Sequence, residues 1–168
     1  RLRRIPQPVI AAVNGVAAGG GLGIALASDI RIASEQARFA CIFVKRSLVP
    51  DTAASYTLTK LVGHGIAAEM ALTGSLYDAQ WALRVGLVNR VVPAEQLMET
   101  AMWVANDIAA NPPLAVRSTK QLLSSWYEDL ETVLPLELAA NAPSRGSEDS
   151  AESVRAFLEK RAPVYIGR

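Results

Sequence analysis

The chain is poor in the residue types that most often carry chemistry. It has one cysteine, Cys41, and one histidine, His64. A lone cysteine excludes an intrachain disulfide and fits a reducing compartment, the cytoplasm. With so few thiols and imidazoles there is no Cys/His cluster, and no metal site is expected. Neither G-x-S-x-G nor H-E-x-x-H occurs, so the serine-nucleophile elbow and the zinc-peptidase helix have no support. An excess of one charge is missing too. The 17 basic and 16 acidic residues leave a net charge of +1, with no dense basic stripe. A nucleic-acid partner is not expected. Arg1, Arg3 and Arg4 read as a solvated tail. Between Ile5 and Ser28 no charged residue occurs, a length that could span a bilayer. Pro6, Pro8, Asn14 and five glycines interrupt that run, so it reads as buried core and not as a membrane span. It also lacks the pattern of a secretory signal. Cys41, in apolar surroundings, reads as packing. His64, between two glycines, reads as a loop or helix-start residue.

What is present is a globular composition, 51% hydrophobic and 20% charged over 168 residues. That is enough for one domain with a core, or a core with a helical appendage. The chain begins with Arg1, and a strand follows almost at once. It is expected to be the back portion of something longer.

Val9 to Asp29, VIAAVNGVAAGGGLGIALASD, organises the front half. Val9 to Val13 reads as a buried strand, Asn14-Gly15 breaks it, and a loop leads on to the glycines. Gly19-Gly20-Gly21 then makes a turn into a helix from Leu22 to Ser28. Adjacent glycines are costly in conformational entropy, so they suit a sharp bend or a close approach to the main chain. A helix beginning there presents free N–H groups and the positive end of its dipole. The turn is either a candidate site for developing negative charge or a tight connection with no ligand. A dinucleotide fingerprint does not fit, because counting from Gly19 or Gly21 puts Ile24 or Leu26 at its last position. No Gly-Lys-Ser/Thr follows, which excludes a P-loop.

Further along, Arg31–Ala33 and Ala37–Ala40 read as short strands. A helix is expected from Thr52 to Val62, ended by Gly63, with another stretch from Ile66 to Leu72. Asp78 to Val85 reads as a helix with Asp78 as N-cap and Gly86 as stop. Leu87 to Val92 reads as a strand. From Pro93 the chain turns helical: Leu97, Ala101, Val104, Ala105 and Ile108 repeat at helical spacing. Leu114 to Trp126, Glu128 to Ala140 with a break at Pro135, and Ser150 to Arg161 are the remaining helices. Asp149 with Glu152 resembles a capping box for the last of them. The division is therefore α/β over residues 1–92 and helical over 93–168. Asp51 stands before the Thr52 helix. It is either an N-cap or a carboxylate at a loop tip above an apolar pocket.

The segment VIAAVNGVAAGGGLGIALASDIRIAS resembles the enoyl-CoA hydratase/isomerase superfamily, the crotonase fold. The likeness continues through Ala37-Arg38-Phe39, Leu48-Val49-Pro50, Leu61-Val62-Gly63, Met70 to Gly74, Ala79 to Leu87 and Ala156 to Arg161, covering essentially the whole chain. It implies a spiral of β-β-α turns, here partial, followed by a helical trimerisation region, with trimers or pairs of trimers as the assembly. It implies an acyl-CoA thioester as substrate and no separate cofactor, since CoA is part of the substrate. Two backbone N–H groups would stabilise the thioester oxyanion. One matches Gly20; the other, with much of the CoA-binding loop, belongs to an N-terminal segment that this chain does not contain.

Hydratases of the superfamily use two glutamates. The matching positions here are Gly23 and Phe43, the latter expected in a strand after Ala-x-Phe. The usual two-glutamate route is thus not expected. Isomerase-like members carry a carboxylate in Leu-(Ile/Val)-Pro-Asp, which matches Asp51. The context is most similar to the ring-epoxide isomerase of phenylacetate breakdown and to Δ3,Δ2-enoyl-CoA isomerases. Dehalogenases of aryl-CoA thioesters place a nucleophilic aspartate there, so a dehalogenase or hydrolase is an alternative, as is a non-catalytic acyl-CoA binder. Phe43, Leu48 and Val49 would line the acyl pocket, and Phe157 and Lys160 would help hold CoA, often across a subunit boundary. Two departures stand out: Ala53-Ala54 replace the family's usual glycines, and Ser47 replaces a common glycine.

Overall fold

The computed structural model describes residues 2–110, 147–161 and 163–164, with positions 116, 119, 120, 123 and 131 besides. Among the described residues, six short strands form two sheets. β1 (Ile10–Val13), β3 (Ile30–Ser34) and β6 (Arg90–Val92) are parallel, in the order β1-β3-β6. β2 (Val16–Ala18), β4 (Arg38–Ala40) and β5 (Tyr77–Asp78) form the second sheet, in the order β2-β4-β5, with β5 antiparallel. The first two turns of chain each give one strand to each sheet and then a helix. β1 and β2 lead into α1 (Gly20–Leu26), and β3 and β4 lead into α2 (Ala54–Thr73). The third turn runs β5, α3 (Ala79–Arg84), β6. The chain is a spiral of β-β-α turns of mixed α/β class.

The register follows from side-chain size and hydrophobicity. Ile10 pairs with Ile30 and Ala12 with Ile32, so an apolar strand runs beside an apolar strand, as a parallel sheet covered on its faces requires. Leu22, Leu26, Phe39, Leu58, Met70 and Leu87 meet in the main core. Each such buried side chain contributes about 1.5–3 kcal/mol relative to exposure. A second cluster forms where α4 (Leu97–Ala109) lays Leu97, Ala101 and Val104 on Ile32, beside Ile10 and Ile30. These α4 residues follow the helical repeat read from the sequence.

Punctuation explains the ends of the helices. Gly63, at φ 78° and ψ 163°, breaks α2 in its middle, where the sequence predicts a stop. Gly74 at φ 59° ends it, its N–H donating to Met70 O at 3.1 Å. Asp78 Oδ1 accepts from Trp81 N–H at 2.7 Å and caps α3, and Gly86 follows at φ 76°. The last helix is α5 (Glu148–Leu158).

Five expectations are corrected. The stretch between Asn14 and the glycine turn is not loop throughout, because Val16–Ala18 pairs with Arg38–Ala40. The Thr52 helix starts at Ala54, since Thr52 and Ala53 are left-handed. Phe43 lies in a 3-10 helix, Ile42–Arg46, and not in a strand. Ser147 caps α5, accepting from Ser150 N–H at 3.0 Å, instead of a box of Asp149 and Glu152. Glu152 is drawn away to Arg155, Arg161 and the N–H of Val164. Nor is Arg3 a solvated tail: its guanidinium donates to the hydroxyl of buried Thr57. The helices expected over 114–126 and 128–140 lie outside the described residues.

Candidate active site

The glycine turn is built by one residue in particular. Gly19 caps α1 at φ 53° and ψ −124°, a conformation that side chains disfavour. Its N–H donates to Ala40 O at 3.2 Å, which ties the turn to β4. The first bond of the helix runs from Gly23 N–H to Gly19 O at 3.1 Å. The N–H groups of Gly20, Gly21 and Leu22 therefore precede the helical ladder, at the positive end of the α1 dipole. A Cβ at Gly20 or Gly21 would meet nothing within 4 Å. Gly19 is needed for its backbone, whereas Gly20 stands at an open surface.

Asp51 lies at a second tight turn. Its carbonyl accepts from Ala54 N–H at 2.8 Å and from Thr52 Oγ1 at 2.7 Å. The two central residues, Thr52 at φ 52° and Ala53 at φ 61°, are both left-handed. α2 has Ala53 as its N-cap, with no side-chain cap bond from that residue. The residue is half-buried, and its Oδ1 is closed off from solvent.

The two turns meet through Gly23. A Cβ built there would collide with Thr52 Oγ1 and lie 2.8 Å from Thr52 Cβ. Gly23 stands three residues after Gly20, on the same side of α1. The residue after Asp51 thus rests on the first turn of the glycine helix. On the other side, a Cβ at Gly19 would lie 4.0 Å from Phe43 Cζ and 3.9 Å from Ile42 Cγ2. Phe43 is buried in the main core, and Leu48 packs on that core with its N–H on Phe43 O at 3.1 Å. Val49 is half-buried in the segment leading to Asp51. Gly20, Phe43, Leu48, Val49 and Asp51 therefore belong to one neighbourhood.

The C-terminal candidates sit at its margin. Ser147 Oγ lies 3.3 Å from Ser47 Oγ, and the Arg46 guanidinium stands 4.7 Å over the Phe157 ring. α5 thus leans on the segment that carries Phe43. Phe157 remains 61% exposed, and Lys160 is exposed just beyond the helix end. An open cavity of about 540 Å³ lined by Arg90, Gln96, Glu99, Thr100 and Trp103 shares no residue with this neighbourhood.

Other polar residues have structural duties. Asp29 Oδ2 accepts from Val9 N–H at 2.7 Å. Buried Arg31 donates to Leu87 O and Ser28 O, and its backbone exchanges bonds with Asn89. Cys41 is buried in the core, and His64 is exposed beside the α2 kink. Among the described residues no cluster of His, Cys, Asp or Glu could hold a metal. No helix among them is long and apolar enough to cross a membrane. Sequence reasoning missed the contact of Thr52 with Gly23. The available signal was a glycine inside a helix, which costs about 1 kcal/mol against alanine and asks for a packing reason.

The whole chain, residues 1–168, matches the family model described as enoyl-CoA hydratase/isomerase. It is 43% identical over 162 residues to the short-chain-enoyl-CoA hydratase of Clostridium acetobutylicum, covering 96% of this chain and 62% of that protein. It is 38% identical over 169 residues to the 1,2-epoxyphenylacetyl-CoA isomerase of Escherichia coli, covering 100% of this chain and 64% of that one. The chain thus spans less than two thirds of the length of these relatives. A solved enoyl-CoA hydratase/isomerase from Pseudoalteromonas atlantica superposes with a TM-score of 0.93 at 35% identity, over 98% of this chain and 67% of the other. Spiral, glycine turn and sequence agree: the chain belongs to the enoyl-CoA hydratase/isomerase family, the crotonase superfamily.

Proposed function

We propose that this chain is the greater part of an acyl-CoA isomerase in which Asp51 moves a proton and Gly20 holds the oxyanion. The thioester oxygen would accept the Gly20 N–H at the head of α1. Loss of a proton from the carbon next to the thioester, or from its vinylogous partner, places negative charge on that oxygen. Asp51 would take the proton and return it to another carbon, moving the double bond with no net gain or loss of atoms. A positioned base contributes typically about 10²–10⁴-fold, and one oxyanion donor about 2.7–4 kcal/mol. Phe43, Leu48 and Val49 would bound the acyl group, and Phe157 and Lys160 would contact CoA. The assembly would be a trimer or a pair of trimers.

The observation that carries the isomerase reading is the packing at Gly23. By resemblance this is where hydratases place their first glutamate, and here Thr52 occupies the space such a side chain would enter. The position of the second glutamate holds Phe43, buried in the core. Asp51 brings a carboxylate to this neighbourhood. The name of the 43% identical relative favours hydration as the second reading. In the intact protein, Asp51→Asn is expected to abolish isomerisation while leaving acyl-CoA binding largely intact. Normal turnover by that variant would end the proposal. Exchange of substrate protons with deuterated water separates proton transfer from mere binding. A covalent acyl or aryl adduct on Asp51 would make it a nucleophile instead.

A further inference from the structure

The turn after Asp51 is in an unusual state. Thr52 is β-branched yet sits at φ 52°, and Ala53 follows at φ 61°. A left-handed β-branched residue is a backbone outlier, and it persists only where its surroundings hold it there. Two contacts hold this one. Its hydroxyl donates to Asp51 O at 2.7 Å, and its side chain sits where a Gly23 side chain would begin. The Thr52 Cβ lies 2.8 Å from that position, so side-chain rotation alone could not clear it for a methyl group.

We propose that Thr52 is a positioning residue: lodged against Gly23 and bonded to the Asp51 carbonyl, it sets the distance between the Asp51 carboxylate and the oxyanion turn. The proposal rests on Asp51 being the base. α1 begins at Gly20, and Thr52 seats on the same helix three residues later. The turn that carries the carboxylate is therefore gauged from the helix that carries the N–H donor. A Cβ on Gly23 would push the two apart. Loss of the Thr52 side chain would free the turn to relax toward conformations that do not aim Asp51.

The test is a double-mutant cycle in the intact protein, scored by kcat and KM for an enoyl-CoA substrate. Thr52→Gly tolerates the left-handed turn and folds, but is expected to lose about tenfold to a hundredfold in kcat, with KM changed less than about twofold. Thr52→Ser keeps the hydroxyl and should recover most of that loss. Gly23→Ala should lower kcat by itself, and Gly23→Ala/Thr52→Gly should be no slower than Thr52→Gly alone, because the collision has gone. Thermal melts of each variant separate misfolding from misplacement. Full kcat in Thr52→Gly, with Asp51→Asn inactive, would overturn the positioning role alone. Turnover by Asp51→Asn would remove the base and this proposal with it.

Discussion

Lys120 Nζ lies 2.7 Å from Asp29 Oδ2, the same oxygen that accepts the N–H of Val9. Lys120 also donates to Gln7 O at 2.8 Å, and its side chain is only 8% exposed. One carboxylate thus joins the entry to β1, the end of α1 and a lysine more than ninety positions away in sequence. Asp29→Ala would remove this carboxylate from beside a buried ammonium. Breaking a buried pair costs about 3–5 kcal/mol, but the Asp29 side chain is 34% exposed and water screens part of that. We expect a loss of about 1–3 kcal/mol, read from urea unfolding. Asp29→Asn can still accept from Val9 and should lose less.

The three glycines of the turn should differ sharply. Gly19→Ala places a Cβ on a left-handed backbone at φ 53° and should cost about 1–3 kcal/mol in stability. Gly21→Ala meets open space and adds helix propensity, so its stability should be unchanged or raised by up to about 1 kcal/mol. Gly20→Pro removes one N–H at a first helical position, where proline is tolerated. If that N–H serves the oxyanion, kcat falls by about 10²–10³-fold while the fold survives. Circular dichroism and turnover on the same samples check both halves.

Ala53 and Ala54 predict opposite signs for one substitution. Ala53 is left-handed at φ 61°, which costs a non-glycine residue roughly 1–2 kcal/mol. Ala53→Gly should therefore raise stability, by up to about 1 kcal/mol once the entropy of glycine is offset. Ala54 is fully buried at the first position of α2, and Ala54→Gly should lower stability by roughly 0.5–1 kcal/mol. Thermal unfolding of the two variants side by side gives the comparison.

Glu152 anchors the end of the chain and should respond to acid. Arg161, Arg155 and the N–H of Val164 all donate to its carboxylate and hold its pKa well below the usual glutamate range. A depressed folded-state pKa stabilises the fold above the unfolded value of about 4.3 and is lost as pH falls below it. The fold-back of Arg161 and Val164 onto α5 should loosen progressively as pH drops beneath about 4, and amide exchange at Val164 should report it. In Glu152→Gln that acid-dependent component should vanish, with the fold-back already loosened at neutral pH.

Much of the fold was legible because its signals are local. The apolar run before Asn14-Gly15 marks β1, Gly63 and Gly74 mark breaks in φ, and Asp78 caps its own helix within three residues. Gly20, Phe43 and Asp51 could be named from the motif in which each stands. What escaped was set by neighbours distant in sequence. β2 became a strand because β4 lies beside it, and Glu152 left its expected cap because Arg161 competes for its oxygens. Arg3 left solvent because Thr57 stands within reach.

Sequence alone determined the class, the order of the turns and the residue types available for chemistry, because hydrophobic period, glycine and proline act over a few residues. It also determined that Gly23 and Phe43 carry no carboxylate. Only the tertiary structure decided that Thr52 fills the space at Gly23 and that α5 leans on the segment bearing Phe43. Each depends on which side chain reaches a given volume first, and steric exclusion between distant segments leaves no periodic trace in a chain.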